Sequence, residues 1–135
     1  MLAVARKIKR GGRFLFYVYR KKGPVREFTD DYVREKLQHM LPDEALNALY
    51  PLTKLGEALG KLNIDIEVAD AVDILGIPAG KINLQRLFYW HFCKAFNRPK
   101  LTIGEMNLIN FDWYAPKNAH RQTLAEVLSC VTRLD

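Results

Sequence analysis

The stretch RGGRFLFYVYRKKGP, Arg10 to Pro24, constrains this chain more than any other. Phe14, Leu15, Phe16, Tyr17, Val18 and Tyr19 run without polar alternation between a diglycine and a Lys-Lys-Gly-Pro stop. Aromatic and β-branched residues favour extended backbone, and an apolar run without alternation marks a strand covered on both faces, as in parallel sheets. Such a strand needs neighbours. Upstream, residues 2–9 (LAVARKIK) read as the last turns of a helix, with Leu2, Ala5 and Ile8 on one face, ended by Gly11-Gly12. Downstream, the sequence reads as helical throughout, so the strand over 13–20 reads as an orphan.

The helices announce themselves by their starts. Thr29-Asp30-Asp31 predicts a helix beginning there and running through YVREKLQHML, its acids favoured by the N-terminal dipole. Pro42 with Asp43 and Glu44 opens another, which Pro51 is expected to interrupt before Leu52, Leu55, Leu59 and Leu62 resume the helical spacing. Ile64 to Leu75 predicts a loop and a short helix closed by Gly76, and Ile77 to Gly80 a turn. INLQRLFYWHFCKAFNR then predicts one helix, apolar over most of its circumference, with Asn83, Arg86, Lys94 and Asn97 on a narrow polar stripe. Thr102 with Glu105 and Thr123 with Glu126 have capping-box spacing. One strand with about seven helices is an unusual inventory for a self-sufficient domain.

No apolar run approaches the ~20 residues of a membrane span. The opening MLAVARKIKR is too short and too basic for a signal-peptide core, so a cytoplasmic protein is expected. Cys93 and Cys130 lie far apart and outside any CxxC pattern, which predicts two plain thiols. The net charge of +6 is concentrated around the strand, at Arg6, Lys7, Lys9, Arg10 and Arg13 before it and Arg20, Lys21, Lys22 and Arg26 after it. A solvated rim explains this patch more simply than an anionic partner.

No complete catalytic constellation is present. Gly11-Gly12 lacks a third glycine and precedes a strand where a phosphate loop follows one. His39, His91 and His120 are scattered, Ser129 lies within the last helix, and His91 and Cys93 point to different helix faces. Asp30-Asp31 and Asp43-Glu44 read as helix-start charges. One connection stands apart: NFDWYAPKNAHRQT, Asn110 to Thr123, expected as a loop between two capped helices. It sets Phe111, Trp113 and Tyr114 beside Asp112, Lys117, His120 and Arg121. That mixture suits a ligand-facing loop and equally a loop whose aromatics plug the core.

Taken in order, Lys9-Arg10-Gly11-Gly12 with RFLFYVYRKKGP, and then NFDWYAPKNAHRQTLAEV, resemble the later half of a class I S-adenosylmethionine-dependent methyltransferase. The first resembles the "KPGG" turn and fifth strand of that family, with Arg10 where proline is usual. The second resembles the "fDWyaP…h.t.eEv" passage before its last helix. The resemblance implies an α/β fragment, predominantly helical, with one apolar strand from a Rossmann-like sheet. Residues 1–28 would be the helix end and sheet strand, 29–109 a helical insert or lid, and 110–135 the aromatic loop and last helix.

The resemblance further implies a truncated methyltransferase that contributes the lid and substrate pocket and is inactive alone. S-adenosylmethionine is the cofactor of the intact family. Its Gly-rich loop and ribose-gripping acid are not among these residues, so no cofactor is expected for this chain alone. Asp112, Trp113 and Tyr114, with His120 and Arg121, are the expected substrate-facing residues. Tyr89 and His91 are second choices, Tyr89 being read first as core. A small-molecule methyl acceptor is implied, together with a partner chain or self-pairing through strand 13–20. The alternative is a non-enzymatic helical binding or dimerisation module with a basic rim. Nucleic acid fits poorly, because a base-stacking face should alternate with cations.

Overall fold

The computed structural model describes residues 7–9 and 11–132. Residues 2–6 of the expected first helix lie outside these, while Lys7 and Ile8 form a turn and Gly11 adopts φ 77°, as the diglycine requires. Among the described residues the chain is an α/β protein. In order, it runs β1 (Tyr19–Arg20), α1 (Pro24–Leu37), α2 (Pro42–Leu62), β2 (Asp65–Val68), β3 (Gly80–Asn83), α3 (Leu84–His91), α4 (Ile103–Tyr114), β4 (Arg121–Gln122) and α5 (Leu124–Thr132). No described helix is long and apolar enough to cross a membrane. The chain divides into two compact units. One is a helical body, Lys22–Ala119; the other is built from both ends of the chain, up to Lys21 and from His120 onward.

In the helical body α1 begins at Pro24, five residues before the expected start at Thr29. Proline takes the first helical position, where its missing N–H costs nothing, and Glu27 reaches back to accept from the Lys22 N–H at 2.9 Å. Asp30 is therefore in mid-helix and buried, not a helix-start charge. α2 opens at Pro42 as its sequence demands, with Glu44 accepting from the Leu41 N–H, but it runs straight through Pro51. Pro51 and Asn47, the residue whose carbonyl loses its partner to the proline, are both exposed.

Two strands replace expected loop and helix. β2 and β3 pair antiparallel, Ile66 opposite Ile82, and the chain between them makes a single 3-10 turn closed by Gly76 at φ 67°. The long apolar helix expected over 82–98 is only Leu84–His91. Asn83 caps it by accepting from the Gln85 N–H at 3.1 Å. The chain then leaves helical geometry over 93–97, where side chains take over the backbone bonds. Tyr114 Oη accepts from Lys94 N at 2.9 Å, Asn110 Oδ1 accepts from Phe96 N at 3.1 Å, and Gln85 Nε2 donates to Ala95 O at 2.9 Å. Buried irregular backbone survives only when its polar groups are satisfied in this way.

The apolar core joins Leu37 of α1, Ala45 and Leu49 of α2, Cys93, and Trp113 and Tyr114 of α4. Beside it, Thr53 of α2 donates to Asn107 Oδ1 at 2.6 Å and accepts from Asn110 Nδ2 at 2.8 Å, so α2 and α4 are tied by polar groups as well as packing. Gly56 lets the 93–97 segment approach α2: a Cβ there would lie 2.6 Å from the Ala95 carbonyl oxygen.

In the terminal unit β1 runs parallel to β4, Tyr19 opposite Arg121 and Arg20 opposite Gln122, and Lys21 N continues the pairing to Gln122 O at 3.0 Å. This corrects the orphan strand over 13–20: the ladder holds two residues, and its partner lies in this chain. Arg121–Gln122 is followed at once by the capping box of α5, in which Glu126 accepts from Thr123 N and Oγ1. So short a partner can register only two residues. The expected burial on both faces is also absent, for Leu15 is 96% and Tyr17 81% exposed.

Candidate functional site

Helix α1 turns a charged face inward. Arg26, Asp30 and Arg34 recur every four residues, so they stack on one side of the helix with Leu37. Asp30 Oδ1 accepts from Arg26 Nε at 2.8 Å and from Tyr114 Oη at 3.1 Å, while Oδ2 accepts from Trp113 Nε1 at 3.0 Å. The two guanidinium groups finish other helices. Arg26 Nη1 donates to the Tyr89 carbonyl in the last turn of α3, and Arg34 Nη2 to the Trp113 carbonyl in the last turn of α4, at 3.0 Å. Cations there satisfy carbonyls that have no intrahelical partner and oppose the negative end of each helix dipole.

Tyr114 extends the cluster. Its only proton goes to Asp30, because a carboxylate accepts and cannot donate. Its oxygen then receives the Lys94 N–H and stands 3.4 Å from the Cys93 sulfur. Burial and the Asp30 charge raise the Tyr114 pKa far above that of an ordinary phenol, and burial also pushes the Cys93 thiol up. Lys94 Nζ donates to Ile109 O at 3.2 Å and lies 4.7 Å from the Trp113 ring centroid. Burial, with the Arg26 charge, pushes its pKa down to about 8. The Arg34 and Arg26 guanidinium carbons are 5.0 and 5.8 Å from the same indole, so three cations surround one ring.

Of the residues singled out by sequence, Trp113 and Tyr114 are therefore buried and committed to this cluster. The expected loop Asn110–Thr123 begins as helix, Asn110 to Tyr114 being the end of α4. Asp112 is exposed on that helix. Tyr89 is half-buried on α3, 5.2 Å from the Arg26 guanidinium carbon. His91 is half-buried at the end of α3, with Nδ1 buried and without a hydrogen-bond partner among the described residues. Burial and Arg26 lower its pKa. Asp30, Tyr114 and Trp113 are enclosed and hydrogen-bonded within the cluster, and its guanidinium groups reach the ends of α3 and α4, so it acts as a clamp between helices.

His120 and Arg121 belong to the terminal unit, where they line a cavity of about 600 Å³ with Gln122, Glu126, Ser129 and Cys130. His120 is exposed and Arg121 half-buried. Glu126 is held by Thr123 and by Lys21 Nζ at 3.2 Å, which keep its carboxyl below the usual range. Gln122 Oε1 is buried without a hydrogen-bond partner among the described residues, an acceptor suited to a ligand N–H or O–H. Cys93 and Cys130 are free thiols, and no described cluster of His, Cys, Asp and Glu could hold a metal.

The lining of the terminal cavity does not fit S-adenosylmethionine. β1 ends at Arg20 and is followed by the cations Lys21 and Lys22. Glu126, the carboxylate that lines the terminal cavity, is engaged by Thr123 and Lys21, so this cavity offers no free carboxylate to ribose hydroxyls. Sequence reasoning missed Arg26, Asp30, Arg34 and Lys94. The four-residue spacing of Arg26, Asp30 and Arg34 on α1 is readable, but charge inside a helix-start motif reads as solvent-facing, and Lys94 reads as part of a polar stripe. No family model, curated protein or solved structure matches this chain.

Proposed function

We propose that this chain forms the lid and substrate-pocket portion of an S-adenosylmethionine-dependent methyltransferase whose cofactor-holding residues lie outside these 135 residues. One observation carries the reading. The two segments that resemble the family stand at opposite ends of the sequence, yet Tyr19–Arg20 of the first pairs with Arg121–Gln122 of the second in one unit. Residues 22–119, which include Asn110–Ala119 of the second segment, fold as a separate body. A helical insert following the fifth strand is the organisation the resemblance implies.

In this reading the cofactor supplies the methyl group, and the chain supplies shape. His120, Arg121 and Gln122 bind and orient the methyl acceptor at the terminal cavity. Trp113 and Tyr114 hold the insert rigid, so that it can exclude water as a preassembled piece. Equilibrium dialysis with radiolabelled S-adenosylmethionine tests this, using the chain alone and the chain co-purified with the polypeptide encoded immediately upstream. Retention of label and methyl transfer only by the pair, with transfer reduced by Arg121→Ala, is the expected result. Saturable binding by the chain alone, or a pair that neither binds nor transfers, would contradict it.

A further inference from the structure

The terminal unit carries nearly all of the charge asymmetry of the molecule. It holds nine Lys and Arg against two acids, a net +7, whereas the helical body holds twelve against thirteen, a net −1. Within this basic unit lies the largest exposed apolar stretch. Phe14 and Phe16 meet at 5.4 Å between ring centroids and Tyr17 and Tyr19 at 5.3 Å. Such i, i+2 ring pairs place alternate residues on opposite sides, as extended backbone does. Among the described residues, none of the backbone groups of residues 14–18 makes a hydrogen bond.

We infer that residues 14–18 are a docking strand that adds to the free sheet edge of an acidic polypeptide. Unpaired main-chain donors and acceptors give a strand its affinity for an edge, and side chains on both faces give it specificity. The flanking charge selects the partner. Arg13 and Arg20 bracket the apolar run, are exposed, and make no ion pair among the described residues. Acidic residues beside the receiving edge would neutralise them. A second copy of this chain is disfavoured by the same charge, since pairing two such strands sets +7 against +7. Nucleic acid is disfavoured by spacing: Phe14 to Tyr19 spans roughly 20 Å of strand at ~3.3 Å per residue with no cation to meet successive phosphates. The inference is independent of the methyltransferase reading and stands if that reading fails.

The test uses the full chain and three measurements: titration with a short fluorescent peptide alternating glutamate and valine, titration with a short oligothymidylate, and sedimentation of the chain alone. The expected result is saturable peptide binding that weakens with salt and falls about tenfold or more in Tyr17→Pro and in Leu15→Pro, each of which deletes one main-chain donor at an exposed position. Amide exchange over 14–18 should slow in the complex. Proline variants that bind as well as wild type would reduce the contact to charge alone and overturn the proposal. So would tighter binding to the oligothymidylate, self-association of the free chain, or no binding to the peptide.

Discussion

Asp30 accepts three hydrogen bonds at 0% exposure, one from Arg26 of its own helix and two from the end of α4. Arg26 finishes α3, Trp113 and Tyr114 finish α4, and Tyr114 in turn supports the Lys94 backbone. Replacing the charge while keeping the shape, in Asp30→Asn, leaves Arg26 buried without its counter-charge. A loss of about 3–5 kcal/mol in urea-unfolding free energy is expected, as for other broken buried pairs. Lys94 gives a pH signature. Its pKa in the folded state is about 8, against an ordinary 10.5, so between these values the unfolded chain binds the extra proton. Stability from this group is fully present above about 10.5 and is lost as pH falls towards about 8. Cys93, raised by burial, works in the opposite direction at alkaline pH, so the Lys94 contribution is isolated by difference. Wild type should gain stability relative to Lys94→Met between those two pH values; parallel pH curves for the two proteins would refute the assignment.

At the scale of elements, what the sequence revealed was local chemistry. The capping boxes of α4 and α5, the proline start of α2 and the left-handed turn at Gly76 all follow from two or three adjacent residues, and all are present. Elements decided by distant partners were not legible. α1 buries Arg26, Asp30 and Arg34 and exposes Phe28 and Tyr32, which stack on its outer side at 6.4 Å. Hydropathy assigns that helix the wrong inner face, because the Arg26–Asp30 pair on α1 is completed by hydrogen bonds to the ends of α3 and α4, which are distant in sequence. The apolar run after Asn83 stops being helical at Phe92 because Tyr114, Asn110 and Gln85 offer its backbone other bonds. Aromatic content likewise promoted Trp113 and Tyr114 as pocket residues, whereas their polar atoms are spent on Asp30. His120 and Arg121 were legible as polar groups on a connection; the cavity they line needed Ser129 and Cys130 from one face of α5.

The whole molecule separates its tasks. Net positive charge gathers in the unit made from the two chain ends, and packing gathers in the body between them in sequence. That body has its own apolar core, its own clamp and a polar tie between α2 and α4, all drawn from residues 22–119. None of these interactions uses a residue of the terminal unit, so the body should fold without it. Urea unfolding of residues 22–119 as an isolated polypeptide, followed by helical circular dichroism beside the full chain, tests this most directly. One cooperative transition at the midpoint of the helical transition in the full chain is expected. An isolated segment without helical signal, or one that melts without a transition, would contradict the account.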